Sequence, residues 1–416
     1  MSSPSISDGL KSKIPETTLL VHSQPVDAYD VVIRFISAEN VPKTDIVGHS
    51  DPYFIAKIDD NITHTSAVVE NTATPKWDDE EWIVRNIPLD AKLFVSVYDK
   101  DDDQPLDDYI GQFEVINLIN YHAPDGGHDI LGLSGHKHGS FHLSIQSMQS
   151  SEESQQLPRY TFDGPCRYFR HDSLSVGRLA MFHADCVYST WKISMRRLSF
   201  FFPPYQRQHW NTKYKLARAI FSKCPLSIAP RTTLKIAHKA LYGRTVKHNE
   251  SGRLNNANDL WKYVFTDKFT TKIEPCVYTY VIDDHAWRFS EVGSRLLTDI
   301  ASKHALLANG CEYVRYAGEF HLRPKHGWEK IDDEWELVID NGSGTYAPNP
   351  DLLTNLKELL VFNFPGLNVV TYDQEDPKLK ESKDQMKAAT EENKHNTIAI
   401  DELAKLSPLS ISSNIQ

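Results

Sequence analysis

From Asp30 to Ser147 apolar and polar residues alternate with period two, and this alternation limits what the chain can become more than any single motif does. In FHLSIQ, Phe141, Leu143 and Ile145 fall on one side and His142, Ser144 and Gln146 on the other; in LFVSVYD, Leu93, Val95 and Val97 share a face. Such a pattern belongs to strands with one buried and one wet face, the habit of antiparallel sheet. Polar turn clusters break the runs at short intervals, so the spacing predicts an all-β antiparallel sandwich over residues 27–147. Two acidic loops interrupt the strands: AENVPKTDIVGHSDPYF, with Asp45 and Asp51, and YDKDDDQPLDDYIG, with Asp99, Asp101, Asp102, Asp103, Asp107 and Asp108. Carboxylates so close together repel one another, and a hard divalent cation taking about six to eight oxygen ligands relieves the repulsion. Calcium suits a flexible multi-carboxylate loop better than magnesium, and zinc would need His or Cys in the set.

These residues carry a family resemblance. Asp45, Gly48 and Ser50-Asp51-Pro52-Tyr53, then Glu70-Asn71-Thr72 with Pro75-Lys76-Trp77, then Val97-Tyr98-Asp99-Lys100-Asp101 closing on Asp108-Tyr109-Ile110-Gly111, together resemble a C2 domain, the eight-stranded calcium- and lipid-binding sandwich of protein kinase C and synaptotagmin. In that family two aspartates of the first loop and three of the third bridge calcium ions. Carried onto this sequence, the resemblance implies Asp45, Asp51, Asp99, Asp101 and Asp108 as ligands. The gap from Asp101 to Asp108 is one residue longer than the commonest pattern, which leaves Asp107 or Asp103 as the alternative last ligand. Calcium in such open loops leaves positions for phosphate oxygens and turns a negative rim positive, so an anionic phospholipid membrane is the expected partner. Ile46 and Val47, between the first-loop aspartates, and Leu106, in the third loop, are candidates for entering the headgroup region, with packing beneath the loops as the alternative.

Charge divides the chain. Residues 28–147 hold 21 Asp and Glu against 8 Lys and Arg, whereas residues 187–253 hold 14 Lys and Arg against one acidic residue, Glu250. The net charge of −11 therefore hides two modules of opposite sign. One reading is an acidic module that needs cations beside a basic module that meets phosphates; the other is mutual attraction across an interface. In RTTLKIAHKALYGR, Arg231, Lys235 and Lys239 fall at i, i+4 and i+8 of a predicted helix, opposite Leu234, Ala237 and Leu241. Such a helix suits an anionic surface or a solvated face over an aromatic core. Nucleic acid is disfavoured as a partner, because no recognised binding module accompanies the basic segment.

The rest of the chain reads as an α+β domain over residues 161–375, reached through a Ser/Gln/Glu-rich linker at 148–160, with flexible tails at 1–26 and 376–416. The predicted elements run β-α-β-β-α-β, the order of a ferredoxin-like split βαβ unit: a strand at 276–282, a helix at 293–309, strands at 311–322 and 334–340, a helix opened by Asn349-Pro350-Asp351, and a last strand, LNVVTY. The five cysteines are odd in number and lack metal-type spacing, and the amino terminus lacks a secretory pattern, so free thiols in the cytoplasm are expected. The protein is expected there, peripheral at membranes when calcium is bound.

Three polar residues of the second domain mark a candidate site. Glu319 beside His304 would form an acid/base pair, and Ser343 near His304 a nucleophile and base, if the fold joins them. SKHALLANG, VRYAGEF and VIDNGSGTYAP are together similar to a cassette of plant IQ-motif calmodulin-binding proteins, although Thr345 stands where that cassette has His. The whole chain resembles fungal proteins that join a C2 domain to such a module. HADCVY, with His183, Asp185 and Cys186, resembles a metal fragment only superficially. The functional expectation is calcium-dependent binding to anionic phospholipid by the first domain, recruiting an interaction or scaffold domain that meets other proteins. The rivals are a membrane-recruited enzyme and a calcium-independent interaction module.

Overall fold

The computed structural model describes residues 27–43, 49–101, 107–173, 188–242, 249–266, 273, 276–290, 303–328 and 334–405. The amino-terminal strands are β1 (Ala28–Glu39), β2 (Pro52–Ile58), β3 (Ile62–Thr65), β4 (Lys76–Pro88), β5 (Leu93–Asp99), β6 (Asp108–Val115), β7 (His128–Leu131), β8 (Lys137–Gln149) and β9 (Thr161–Gly164). They hydrogen-bond in the order β3-β2-β5-β6-β7-β8-β1-β4-β9, and β6 meets β7 through one residue pair, Gln112 with Leu131. So narrow a join lets the two halves fold over each other into a sandwich. Phe54 of β2 accordingly lies 4.4 Å from Phe35 of β1 and 5.4 Å from Phe141 of β8, ring centre to ring centre. Leu93, Val95 and Val97 are buried while Phe94 between them is exposed, as the period-two pattern requires.

A second sheet is built from β10 (Arg167–Ser173), β11 (Tyr188–Ser194), β13 (Asn249–Arg253), β14 (Val277–Ile282), β15 (Ala286–Ser290), β17 (Tyr316–Pro324), β18 (Trp335–Asp340) and β19 (Val369–Tyr372), with β12 (Gln208–His209) and β16 (Tyr313–Val314) forming a separate small pair. Its order is β13-β10-β11-β15-β14-β17-β18-β19. Among the described strands only β18 and β19 pair in parallel, and a parallel pair needs a crossover. The helix Leu353–Asn363 supplies it, with Leu356, Leu359 and Leu360 fully buried and Asn349 capping the turn before it by accepting from the Asp351 N–H. Strands β14, β17, β18 and β19 lie side by side in chain order, so the expected split βαβ order does not produce a ferredoxin-like pairing. The strands β10, β11, β13 and β15 are not among the expected elements, although Trp191, Ile193 and Met195 alternate with Lys192 and Ser194 at the end of β11.

Two expectations are corrected. The segment expected to be a linker is packed: β8 runs to Gln149, a helix follows at Glu152–Gln156, and β9 adds to the edge of β4. Asp30, buried in β1, is the reason. Its carboxylate accepts from the hydroxyls of Ser150 (2.6 Å) and Ser154 (2.8 Å), from the Asn86 N–H (3.1 Å) and from the Arg85 guanidinium (3.1 Å). The serines that look like linker composition are thus ligands of a buried charge. The segment expected as the last tail instead contains a helix, Pro377–Lys405, whose Leu379 and Met386 are buried.

Charges also join the two sheets. Glu80 of β4 is buried, with His64 Nε2 at 2.9 Å and the Arg167 guanidinium of β10 at 3.4 Å. Burial by itself pushes the Glu80 carboxyl up, but the hydrogen bond and charge of His64 and the charge of Arg167 outweigh it and hold the group below its usual range. Asp163 of β9 similarly takes Arg85 at 2.8 Å and Arg197 at 2.7 Å.

Replacing Asp30 by Ala leaves the hydroxyls of Ser150 and Ser154 and the Asn86 N–H without this acceptor and leaves Arg85 with Asp163 alone of its two carboxylates. The variant is expected to lose about 3 kcal/mol in urea unfolding and to be cut faster by protease within 150–160. An unchanged midpoint and cleavage rate would contradict this account of the segment.

Candidate functional site

At one end of the sandwich β2 and β5 bring two of the expected ligands together. Pro52 and Asp99 are partners across the ladder, and the Asp51 N–H donates to Asp99 Oδ1 at 2.6 Å. Asp99 is fully buried; Asp51 is half-buried, and its Oδ1 accepts from the Asn71 N–H at 2.6 Å. Asn71 in turn accepts the His49 N–H on its side-chain oxygen at 2.7 Å. The Glu70-Asn71-Thr72 segment is therefore a clip that orients the end of the first loop, reinforced by the Thr72 N–H on the Ser50 carbonyl at 2.9 Å. Backbone N–H groups donating to a carboxylate are short, strong bonds that hold its direction.

The other loop contributes differently. Asp101 is half-buried just beyond β5, and Asp108 opens β6 opposite Asp99 with its side chain exposed. Between them, Lys100 Nζ donates to the Asp101 carbonyl at 2.7 Å and to Asp107 Oδ1 at 3.0 Å, and the Tyr53 hydroxyl donates to Asp107 Oδ2 at 2.7 Å. Asp107, the alternative last ligand, is thus engaged by the chain's own cation. Asp45, Ile46 and Val47 of the first loop, and Asp102, Asp103 and Leu106 of the third, lie outside the described residues, as do His183, Asp185 and Cys186. Among the described residues no three His, Cys, Asp or Glu gather in a group that would hold a metal. Of the expected ligands, Asp51 and Asp99 are joined directly at the rim, while Asp101 lies just beyond β5 and Asp108 opens β6.

The C2 domain family matches residues 29–122. These residues form a C2 domain. Tricalbin-1 of Saccharomyces cerevisiae is 33% identical over 105 residues, which is 25% of this chain and 8% of that protein. RasGAP-activating-like protein 1 of Homo sapiens is 26% identical over 125 residues, 29% of this chain and 15% of that protein. The chain thus spans a small part of the curated relatives it matches. Among solved structures, the calcium-bound pair of C2 domains of Extended-Synaptotagmin 2 is 23% identical with a TM-score of 0.25, covering 36% of this chain and 59% of that one. Among the described residues no helix is long and apolar enough to cross a membrane.

In the second sheet the three candidate polar residues are held in separate hydrogen bonds. His304, in the short helix Lys303–Leu307, is buried with Nε2 2.9 Å from the Gly318 carbonyl. Gly318 itself admits no side chain, because a Cβ there would collide with the Asp340 carbonyl across the sheet. Ser343 accepts the Tyr346 N–H at 3.1 Å, closing a turn. Glu319 accepts from Lys383 at 3.0 Å. Among the described residues no hydrogen bond joins His304, Glu319 and Ser343 to one another.

Lys383 and its surroundings are a polar cluster that the sequence reading misses. The helix Pro377–Lys405 lays Lys383 against Glu319 and against buried Asp340, whose Oδ2 is 2.8 Å away. Next to it Ser382 meets His321 at 2.8 Å and Arg323 at 2.9 Å. Burial raises the Asp340 carboxyl; burial alone would lower Lys383, but Asp340 and Glu319 raise it. The signal that could have found it is Leu379, Ser382 and Met386 at i, i+3 and i+7 behind Asp376-Pro377, a helix start with one inward face.

Lys383→Met leaves Glu319 and Asp340 facing each other without a cation, so the variant should lose about 3 kcal/mol and expose the last helix to protease, with Lys383→Arg restoring protection. Burial pushes His304 down to about 4, and burial with the charges of Lys383 and Arg323 pushes His321 down to about 3. An imidazole with a lowered pKa binds fewer protons folded than unfolded, so stability falls as pH drops below the unfolded value of about 6.5 toward those values. Hydrogen exchange should show β17 opening before β5 on acidification across that window, an order that His304→Gln weakens.

Proposed function

We propose that residues 27–147 form a calcium-dependent anchor for anionic phospholipid membranes and that residues 161–375, an α+β domain, are carried to that surface as an interaction or scaffold unit. The observation that supports this most directly is the pair Asp51 and Asp99, each carboxylate held by a backbone N–H at the same rim of a C2 sandwich. Asp99 is the buried strut of the site, Asp51 is oriented by Asn71, and Asp101, Asp108 and Asp45 are the proposed remaining ligands. Calcium, when bound, supplies positive charge and coordination positions open to phosphate oxygens. The residues' own part is to set that charge at the rim: the loops repel an anionic surface through their carboxylates until these are neutralised. Ile46, Val47 and Leu106 are the proposed apolar contacts with the headgroup region. The separate hydrogen bonds of His304, Glu319 and Ser343 support an interaction role for the second unit.

Liposome co-sedimentation with phosphatidylserine vesicles tests the reading. The full chain should pellet with vesicles in calcium and stay in the supernatant in EDTA, and Asp99→Asn with Asp101→Asn should abolish the difference. Pelleting that ignores both calcium and the substitutions would overturn it.

A further inference from the structure

Between the C2 sandwich and the second sheet lies a cavity of about 670 Å³ that neither unit encloses alone. Tyr53, Ile55 and Thr65 of β2 and β3 form one wall, and residues of β10, β11, β15 and the helix Ile228–Tyr242 form the other. Six cations line it: Lys100 from the sandwich, and Arg170, Lys192, Lys235, Lys239 and Arg288 from the second unit. Only two carboxylates, Glu70 and Asp107, join them in the lining. Lys100 is paired with Asp107, Arg288 is paired with Asp283 at 2.6 Å, and Glu250 stands opposite Arg170 in the β10–β13 ladder outside the lining. Among the lining residues cations outnumber carboxylates six to two, in a cleft between the two units where electrostatic interactions are stronger than on an open surface.

Two details show the chain holding like charges together there. Lys235 and Lys239 sit one helical turn apart on one face of the same helix, a spacing at which like charges destabilise a helix. His238, between them in the lining, donates from Nδ1 to the Leu306 carbonyl at 2.8 Å and is kept neutral, pushed down to about 4 by burial first and by Arg288 next. A convergent set of cations with hydroxyl donors such as Thr65, Thr190 and Ser251 in the same lining is the chemistry that recognises phosphate oxygens.

We propose that this cavity binds a small, multiply phosphorylated ligand, either a free phosphate ester or the phosphorylated headgroup of a lipid, independently of the acidic rim of the sandwich. The site adjoins the proposed calcium loops through Lys100 and Asp107, while most of its cations belong to the second unit. It gives the basic segment a target that the net charge of the chain conceals.

Isothermal titration of the full chain in EDTA with inositol hexakisphosphate as the soluble probe should give saturable binding. Lys235→Ala with Lys239→Ala should weaken it about thirtyfold. Both lysines are exposed and alanine favours helix, so circular dichroism should report an unchanged fold. Lys235→Arg with Lys239→Arg should retain binding, as should Lys213→Ala with Lys215→Ala, exposed lysines outside the cavity. Asp99→Asn should also bind as the parent does, which separates this site from the calcium reading. Vesicles of phosphatidylcholine with and without phosphatidylinositol bisphosphate distinguish the sources: pelleting competed by the soluble probe identifies a headgroup, and soluble binding without pelleting identifies a free ester. Absence of saturable binding to every probe, or equal loss in the Lys213/Lys215 control, would overturn the proposal.

Discussion

A carboxylate taken out of water must meet a cation or revert to its neutral form, and the relation between the two sheets depends on one such carboxylate at their seam. Glu80 belongs to the sandwich, His64 reaches it from β3 at the opposite end of the strand order, and Arg167 reaches it from the first strand of the second sheet. The same rule operates at Asp163, between Arg85 and Arg197, and at Asp340, beneath Lys383. A buried ion pair contributes little net stability compared with apolar packing, because desolvation offsets much of the attraction. Its value here is positional: each pair admits one arrangement of the elements that bear it. The acidic module thus spends Glu80 on Arg167, which precedes the basic segment 187–253, while Lys235 and Lys239 of the Ile228–Tyr242 helix line the cavity between the two units.

The acidic rim obeys the same constraint with a different outcome. Asp51 and Asp99 each accept a backbone N–H group, which orients their carboxylates. Lys100 satisfies Asp107 and no more of the loop's carboxylates than that among the described residues.

Legibility in the sequence follows the range of the interactions. The strands of the sandwich are readable because Phe141, Leu143, Ile145 and Leu93, Val95, Val97 encode their buried face locally. The crossover helix is readable from Asn349-Pro350 and its leucines. Asp51 and Asp99 are found through the motif, yet the clip by Asn71 depends on a contact between loops. Ser150 and Ser154 read as linker because their partner, Asp30, is distant in the chain. Lys383 reads as tail because composition alone shows no aromatic residue, while its partners are on β17 and β18. His304 and Ser343 look like chemistry, but each is engaged by a nearby backbone group.

By itself the sequence determined the alternation that makes a sandwich, the acidic loops at its rim and the opposite signs of its two modules, since each is a property of neighbouring residues. Only the tertiary structure decided which buried charges meet, that the supposed linker and tail are packed elements, and that cations from four separate elements of the second unit line one cavity. Pairing of buried charge is a long-range matter: its energy depends on the distance and burial of groups far apart in the chain, which no local pattern records.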